Sequence, residues 1–363
     1  MDVLILGAGA VGTLLAFRLA LAGHKVTAVG RAAFVRAVES HGLMFECDGR
    51  AGCVDRLMAV QDTRSLGESQ FDLVLITTRT FDTAVAAVQA LPFVQRGARA
   101  VVMQDGVGGL EVAQGILGEP NLFVGVMTIS VDMLKPGVVR QGHHRGGIAV
   151  AAANGHAPAF LVDLLVQAGF ETRQVQDVRA LQWSRLLTGM LANAIPAILD
   201  WPPDQVYKNR RLYELELDAL REALLVVQRM GIELVSLPGC PVPTLVWSLT
   251  HMPSSITRMT FIRAVVNGRA GRRPSLHTEL ARGRKSEVEF LNGAVTREGK
   301  KVGAPTPVNL ALCETLLGIA QGKVSWNEYR GQTDRLISRI RAGDSSMARK
   351  GSAKRFDLGR RDA

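Results

Sequence analysis

Aromatic residues make up only 5% of the chain, and its four cysteines, Cys47, Cys53, Cys240 and Cys313, show neither metal-ligand spacing nor a disulfide framework. A zinc module and a stapled secreted domain are thereby excluded, and reduced thiols in a cytoplasmic protein are expected. Only Cys47 and Cys53 stand close enough to face each other across a hairpin. No apolar run reaches the length of a membrane span without a charge or a glycine break. Asp2 precedes the first apolar stretch, where a secretion signal would carry basic residues. Internal repeats are absent too. The net charge of +10 does not read as a nucleic-acid footprint: 34 of the 43 basic residues are arginines scattered along the chain, without one stripe of interleaved aromatics. Part of the excess gathers in 343–363, where Arg349, Lys350, Lys354, Arg355, Arg360 and Arg361 outnumber Asp344, Asp357 and Asp362. This polar stretch predicts a disordered basic tail, and a weak contact there with RNA or anionic lipid is the only nucleic-acid role left open.

The amino end carries the strongest positive signal. Val3-Leu4-Ile5-Leu6 runs directly into Gly7-Ala8-Gly9-Ala10-Val11-Gly12 and then into the apolar helix Leu14–Ala22. In a strand–turn–helix context, Gly7 permits the tight turn, Gly9 admits a pyrophosphate to the backbone, and Gly12 lets helix and strand pack closely. The pyrophosphate would rest on unpaired N–H groups at the helix N-terminus. A second strand, Lys25–Val29, should end where an NAD site places an acid on the ribose hydroxyls. Here Gly30-Arg31 follows, and no acid occurs before Glu39. A guanidinium pairs with a 2′-phosphate that a carboxylate would repel, so the sequence favours NADPH.

At 363 residues the prior is two domains. Alternating strands and helices run from Met1 to about Ala153, the signature of a parallel sheet, with strands expected at Val3–Leu6, Lys25–Val29, Leu73–Thr77, Arg99–Met103 and Leu122–Val126. Asp48-Gly49 and Gly52 suggest a hairpin insertion within Gly42–Met58. Val124–Asp132, Gly137–Gln141 and Gly147–Ala152 read as strands closing this domain, followed by a helix at Ala157–Ala168 and an edge strand at Glu171–Gln174. From about Asp177, apolar spacing of three and four predicts helices at Val178–Asn193, Arg210–Met230, Leu276–Arg282, Ser286–Lys301 and Val308–Gln321. The expected layout is a Rossmann-type α/β dinucleotide-binding domain over 1–175, an all-α substrate domain over 176–330, and the tail. The active site is expected in the cleft between the domains. The long helix Arg210–Met230 leaves a homodimer and internal packing equally open.

Four runs stand out in the second half: Leu181-Gln182-Trp183-Ser184-Arg185-Leu186 with Asn193 beyond; Pro274-Ser275-Leu276-His277-Thr278-Glu279; Ser286-Glu287-Val288-Glu289-Phe290-Leu291-Asn292-Gly293; and Gly303-Ala304-Pro305-Thr306-Pro307-Val308-Asn309. Together with the amino end they resemble the ketopantoate reductase (2-dehydropantoate 2-reductase) family. The likeness covers about Met1 to Gln321. It implies hydride transfer from NADPH to the ketone of a branched 2-oxo acid. It also implies catalytic or substrate-holding roles for Arg185, Glu287, Asn193 and Ser275. Gly7, Ala8, Gly9, Ala10, Val11, Gly12, Arg31, Arg79, Asp105, Val131 and Glu287 are implied on the cofactor, and no metal is implied. Arg79 stands where the family usually has a phosphate-contacting lysine.

Three positions depart from the family pattern. Arg185 replaces the proton-donating lysine, and an arginine stays charged and donates poorly. Asp105, in Gln104-Asp105-Gly106-Val107-Gly108, replaces an asparagine and would repel a 2-oxo acid unless paired, with Arg185 the obvious partner. Gly189 replaces a second asparagine, and Arg258–Arg273 looks expanded. Plainer roles compete: Ser275 as a helix N-cap, Asn193 as a helix end, Glu287 as a solvated carboxylate, Arg185 as a structural ion pair. The departures favour an altered substrate or mechanism within the family. A non-catalytic NADPH-binding sensor or scaffold is the alternative from another class.

Overall fold

The computed structural model describes residues 1–142, 145–155, 158–253, 256–259 and 273–342. The tail 343–363, and residues 260–272 of the expanded segment, lie outside the described residues. The chain divides into two compact units, Met1–Leu186 with Leu234–Thr244, and Leu187–Glu233 with the chain from Leu245 onward.

Among its described residues the first unit contains twelve strands: β1 (Asp2–Leu6), β2 (Lys25–Val29), β3 (Leu43–Cys47), β4 (Arg50–Val54), β5 (Met58–Val60), β6 (Leu73–Ile76), β7 (Arg99–Met103), β8 (Leu122–Met127), β9 (Val131–Lys135), β10 (Val138–Gln141), β11 (Ile148–Ala152) and β12 (Thr172–Gln174). Eight form one sheet in the order β12-β11-β8-β7-β6-β1-β2-β5. Every neighbouring pair from β5 to β8 is parallel, and β11 runs antiparallel to β8. β1, β6 and β8 are buried at every position except Asp2, as expected of strands covered on both faces. The helices are α1 (Ala10–Leu21), α2 (Ala32–His41), α3 (Thr83–Gln95), α4 (Gly109–Leu117), α5 (Ala159–Gln167) and α6 (Val178–Met190), the unit boundary falling within α6. This is the Rossmann-type arrangement expected: the chain builds outward from β1 to β2, then returns to β6 on the other side of β1. That reversal opens a crevice at the carboxyl ends of these strands.

One feature departs from the strand-by-strand reading. β9 and β10 do not extend the main sheet but join the hairpin β3–β4 in a second sheet, β4-β3-β10-β9. The hairpin turns at Asp48 (φ 47°) and Gly49 (φ 76°), two left-handed residues matching the twist of a two-residue turn. β3 then pairs in parallel with β10, far along the chain. This sheet packs on α1, where Phe17 stacks on Phe45 with ring centroids 5.0 Å apart. α1 therefore buries Leu14, Leu15, Ala16, Phe17 and Leu19 and lacks the polar stripe of a surface helix. The hairpin register sets Cys47 opposite Arg50 and Cys53 opposite Met44, so the two thiols point to opposite faces, and none of the four cysteines is in a disulfide.

The second unit is helical among its described residues. It contains α7 (Ala194–Leu199), α8 (Pro203–Lys208), α9 (Arg210–Arg229), most of α10 (Val242–His251), helices Ser275–Ala281, Asn292–Lys301 and Pro307–Ala320, and a further helical stretch at 333–342. Ser286–Lys301, expected as one helix, is a 3-10 turn Glu287–Phe290 followed by Asn292–Lys301. Asn209 caps α9 by accepting from Arg211 N and Leu212 N, and the buried face of α9 packs against the helices Asn292–Lys301 and Pro307–Ala320. Such a cap contributes about 1 kcal/mol. The Glu222 carboxylate caps Pro307–Ala320, accepting from Val308 N (2.8 Å), Asn309 N (2.9 Å) and Asn309 Nδ2 (2.7 Å). Asn292 donates to Asn309 Oδ1, so the asparagines of the two most distinctive sequence runs hold the helices together. Among the described residues no helix is long and apolar enough to cross a membrane, and no group of His, Cys, Asp and Glu is placed to hold a metal.

Candidate functional site

The glycine turn shows three different constraints at its three glycines. Gly7 adopts φ 110°, and a Cβ there would lie 2.8 Å from Thr78 N. At Gly12 a Cβ would lie 2.2 Å from the carbonyl oxygen of Gly7 and 2.5 Å from Thr77 Oγ1, so helix and turn touch through bare backbone. At Gly9, the residue capping α1, a Cβ would meet nothing within 4 Å. The turn is closed behind Gly7 and Gly12 and open in front of Gly9, which is the shape a pyrophosphate needs. Thr13 N makes the first bond back to Gly9 (2.9 Å), so the N–H groups of Ala10, Val11 and Gly12 precede any intrahelical acceptor. Ala8 N is tied to Val29 O at 3.1 Å, and a Cβ on Gly30 would lie 2.8 Å from the Ala8 Cβ.

Arg31 and Arg79 occupy equivalent places on either side of this turn. Arg31 follows β2 and caps α2; Arg79 follows β6 and caps the 3-10 turn Thr80–Asp82; both are exposed. In the order β6-β1-β2 they flank the glycine turn at the carboxyl edge of the sheet. Val131 opens β9, half-buried against the core that includes α1.

Two residues here carried no role in the sequence reading. Thr77 donates from Oγ1 to the Gly7 carbonyl at 2.7 Å, fixing the turn from the neighbouring strand. Gln104, buried at the end of β7, bonds the Thr83 hydroxyl and donates to the carbonyls of Thr78 and Arg79. Gln104 is thus locked to the loop that bears Arg79. A polar residue directly after an apolar strand was its only sequence signal.

Asp105, the next residue, meets Arg185 in a two-bond fork: Arg185 Nε to Oδ1 and Nη2 to Oδ2, both 2.8 Å. The pairing anticipated from sequence is present, across 80 residues of chain. Asp177 starts α6 by accepting from Arg179 N, and α6 buries Leu181, Trp183 and Leu186. Ser184 is also buried and accepts from Val235 N at 2.9 Å, docking the segment that carries Cys240. Burial pushes the Cys240 thiol above its ordinary range, opposed by the charge of Arg185.

In the second unit Asn193 and Ser275 come together. Asn193, buried at the start of α7, donates from Nδ2 to Gly189 O (2.8 Å) and to Ser275 Oγ (3.3 Å), and its Oδ1 accepts from Leu276 N (3.2 Å). Ser275 is therefore not the N-cap of its helix. Pro274 occupies that position without a side-chain bond, and Asn193 supplies the acceptor from outside. Asp200, at the other end of α7 with φ 57°, accepts from His277 Nε2 (2.7 Å) and pairs with Arg273 (3.2 Å) and Arg330 (3.3 Å). Both ends of α7 thus grip the Ser275 helix. Glu287 is buried, its N–H donating to Glu279 Oε2 at 3.0 Å, and is not the solvated carboxylate considered above. Glu279 lies one helical turn beyond Ser275 on the same face. A Cβ at Gly189 would meet only Leu291, at an ordinary 3.8 Å, so the position is not closed to a residue larger than glycine at its first carbon.

A profile of the family described as "Ketopantoate reductase PanE/ApbA" matches residues 3–155, and its companion, "Ketopantoate reductase PanE/ApbA C terminal", matches residues 177–320. The chain is 25% identical over 315 residues to the 2-dehydropantoate 2-reductase of Pyrococcus horikoshii, covering 86% of this chain and 95% of that one. To the 2-dehydropantoate 2-reductase of Archaeoglobus fulgidus it is 26% identical over 325 residues, covering 88% and 97%. The crystal structure of a PanE/ApbA family ketopantoate reductase from Ralstonia eutropha matches with TM-score 0.75 and 27% identity, covering 89% of this chain and 99% of that one. D-mandelate dehydrogenase with NADH and anilino(oxo)acetate shares the fold at TM-score 0.76 and 21% identity, with coverage of 89% and 99%.

Proposed function

The chain belongs to the ketopantoate reductase family and is an oxidoreductase acting between C=O and CH–OH, and from that premise we propose that it uses a nicotinamide dinucleotide, NADPH, to reduce 2-dehydropantoate or a related 2-oxo acid to the 2-hydroxy acid. The observation that carries the cofactor half is the turn open only at Gly9, with arginine rather than an acid at the end of β2. Gly7 to Gly12 cradle the pyrophosphate, and Arg31 with Arg79 takes the adenosine phosphate by charge-assisted bonds.

When bound, the reduced nicotinamide supplies a hydride to the carbonyl carbon. Arg185 supports the charge that develops on the carbonyl oxygen, and Asn193 and Ser275 orient the substrate. A guanidinium keeps its protons at physiological pH, so water supplies the proton that the oxygen takes. Asp105 holds the guanidinium plane fixed, which favours electrostatic support over proton shuttling.

The test follows NADPH and NADH consumption over a panel of 2-oxo acids, with Arg185→Lys beside the parent. Turnover with NADPH is expected, and the lysine variant should retain or gain rate. Brisk reduction of 2-dehydropantoate by the parent with a slow lysine variant would overturn the role given to Arg185. The fixed Asp105–Arg185 pair also favours a second reading, a non-catalytic NADPH-binding sensor or scaffold. That reading requires stabilisation by NADPH without turnover of any oxo acid.

A further inference from the structure

Resting on the reductase reading above, in which Asn193 orients the oxo acid, we propose that Glu216 is a positioning residue that sets Asn193 through the backbone of Ala192. α9 buries a face that includes Leu212, Leu215, Ala219 and Leu220, and Glu216 sits on the same helix at 5% exposure. A carboxylate taken out of water forfeits its hydration, and packing alone would be served as well by an apolar side chain. Glu216 instead bonds backbone: its Oε1 accepts from the N–H of Ala192. The Tyr207 hydroxyl donates to the same oxygen at 3.4 Å, and its ring meets that of Tyr213 edge-on with centroids 5.7 Å apart. The carboxylate is thus gripped from α8 as well as carried by α9.

Ala192 is a residue that has to be held. It lies in the link 191–193 between α6 and α7, is fully buried, and has φ 51°, the left-handed region that a residue with a Cβ visits rarely. Such a conformation persists where its surroundings over-determine it. Its N–H, removed from water, also requires an acceptor, and Glu216 supplies one. The next residue is Asn193, whose amide donates to Gly189 O at 2.8 Å and to Ser275 Oγ at 3.3 Å, and accepts from Leu276 N at 3.2 Å. Rotation of the backbone at Ala192 swings that amide away from all three partners. Glu216 therefore acts through Asn193 and is not itself a catalytic group.

Steady-state kinetics on 2-dehydropantoate at saturating NADPH test this with two variants of the full chain. Glu216→Leu removes the acceptor, and Glu216→Gln keeps an oxygen at the same reach. Misplacing an orienting group by about 1 Å costs up to about 100-fold, so Glu216→Leu should lower kcat/KM for the oxo acid roughly 10- to 100-fold. KM for NADPH should stay within about twofold, and Glu216→Gln should remain within about threefold of the parent. In an Asn193→Ala background no amide is left to aim, and Glu216→Leu should cost less than about threefold more. Additive losses in that cycle overturn the proposal, because scaffolding alone would give them. So does an unchanged kcat/KM in Glu216→Leu, or a Glu216→Gln protein as impaired as Glu216→Leu. Circular dichroism reports folding; should Glu216→Leu misfold, Glu216→Asp, which draws the acceptor back by one carbon, takes its place. If the parent consumes no oxo acid, the reductase reading fails by itself. Amide hydrogen exchange then decides the role of Glu216: Leu276 N–H, bonded to Asn193, should exchange at least about tenfold faster in the acceptor-removing variant than in Glu216→Gln, and equal rates count against it.

Discussion

Substituting Gly9 and Gly12 separately by alanine divides cofactor recognition from fold maintenance within one turn. Gly9 has φ −80°, an ordinary value for alanine, and its new methyl meets no protein atom within 4 Å. The weaker N-cap costs about 0.5–1 kcal/mol, and the stiffer unfolded chain returns about 0.4–1 kcal/mol, so the melting temperature should move by no more than about 2 °C. The methyl nevertheless fills the open side proposed above for the pyrophosphate, and NADPH affinity should fall at least about tenfold, or 1.4 kcal/mol. Gly12→Ala behaves differently. Its methyl would sit 2.2 Å from a backbone oxygen and 2.5 Å from Thr77 Oγ1, so the turn must shift. Overpacking of this kind costs about 1–3 kcal/mol. Gly12→Ala should therefore lose both stability and affinity, and Gly9→Ala only affinity. Differential scanning fluorimetry and calorimetric titration read the two quantities. A Gly9→Ala protein that binds NADPH as the parent does would refute the placement of the pyrophosphate.

Arg31→Ala should weaken NADPH binding by roughly 10- to 100-fold, the worth of a charge-assisted contact, while leaving NADH binding unchanged; calorimetry with both nucleotides checks it. Asp200→Asn removes the acceptor shared by His277, Arg273 and Arg330, and should lower stability by about 1–3 kcal/mol while raising KM for the oxo acid more than it lowers kcat. Urea titration and steady-state kinetics check this, and an unchanged KM would remove Asp200 from any role in placing Ser275. Burial raises the Glu222 carboxyl above its ordinary 4.5, opposed by the bonds from Asn309 and Val308. The folded state then holds that proton more tightly than the unfolded one, so this contribution is present at low pH and is lost as pH rises through the raised value. Glu222→Gln should accordingly gain on the parent in urea titrations as pH rises through that window, and the opposite slope would refute the burial argument. The Cys313 thiol is pushed up to about 12 by burial, whereas Cys53 is exposed. Alkylation of the native protein at pH 8, followed by mass spectrometry, should mark Cys53 and spare Cys313 until denaturant is added.

What the sequence disclosed follows the range of the interactions involved. The strand–glycine–helix unit at Met1–Leu21 was legible because each constraint acts between residues a few positions apart, and the five main parallel strands stood out as short apolar runs. The second sheet was not legible, because β10 chooses β3 as its parallel partner through contacts of α1 with both sheets. The sequence reads one strand over Val124–Asp132 where the structure has β8 ending at Met127 and a separate β9 from Val131, and nothing in β9 or β10 says which sheet they join. Asp200 was missed for a similar reason: a single acid after Ile198-Leu199 looks like an ordinary helix end until His277, Arg273 and Arg330 converge on it.

Sequence distinctiveness and chemistry also separate in this chain. The run Gly303–Asn309 was the most recognisable stretch outside the glycine turn, yet Asn309 is engaged by Glu222, Asn292 and the Ala219 carbonyl, and Pro307 opens a helix. Those contacts are scaffolding. Asp105 and Arg185, two of the three positions that depart from the family pattern, are bonded to each other. An aspartate alone would leave an unpaired negative charge after β7, and an arginine alone would leave a fixed cation without its anchor. Joined by two bonds of 2.8 Å, the two opposite charges form one paired unit. The effects of Arg185→Lys and Asp105→Asn should therefore not add, because each change made singly leaves the other partner of the pair behind. A double-mutant cycle on kcat/KM measures that coupling, and strict additivity would show that the two residues act independently.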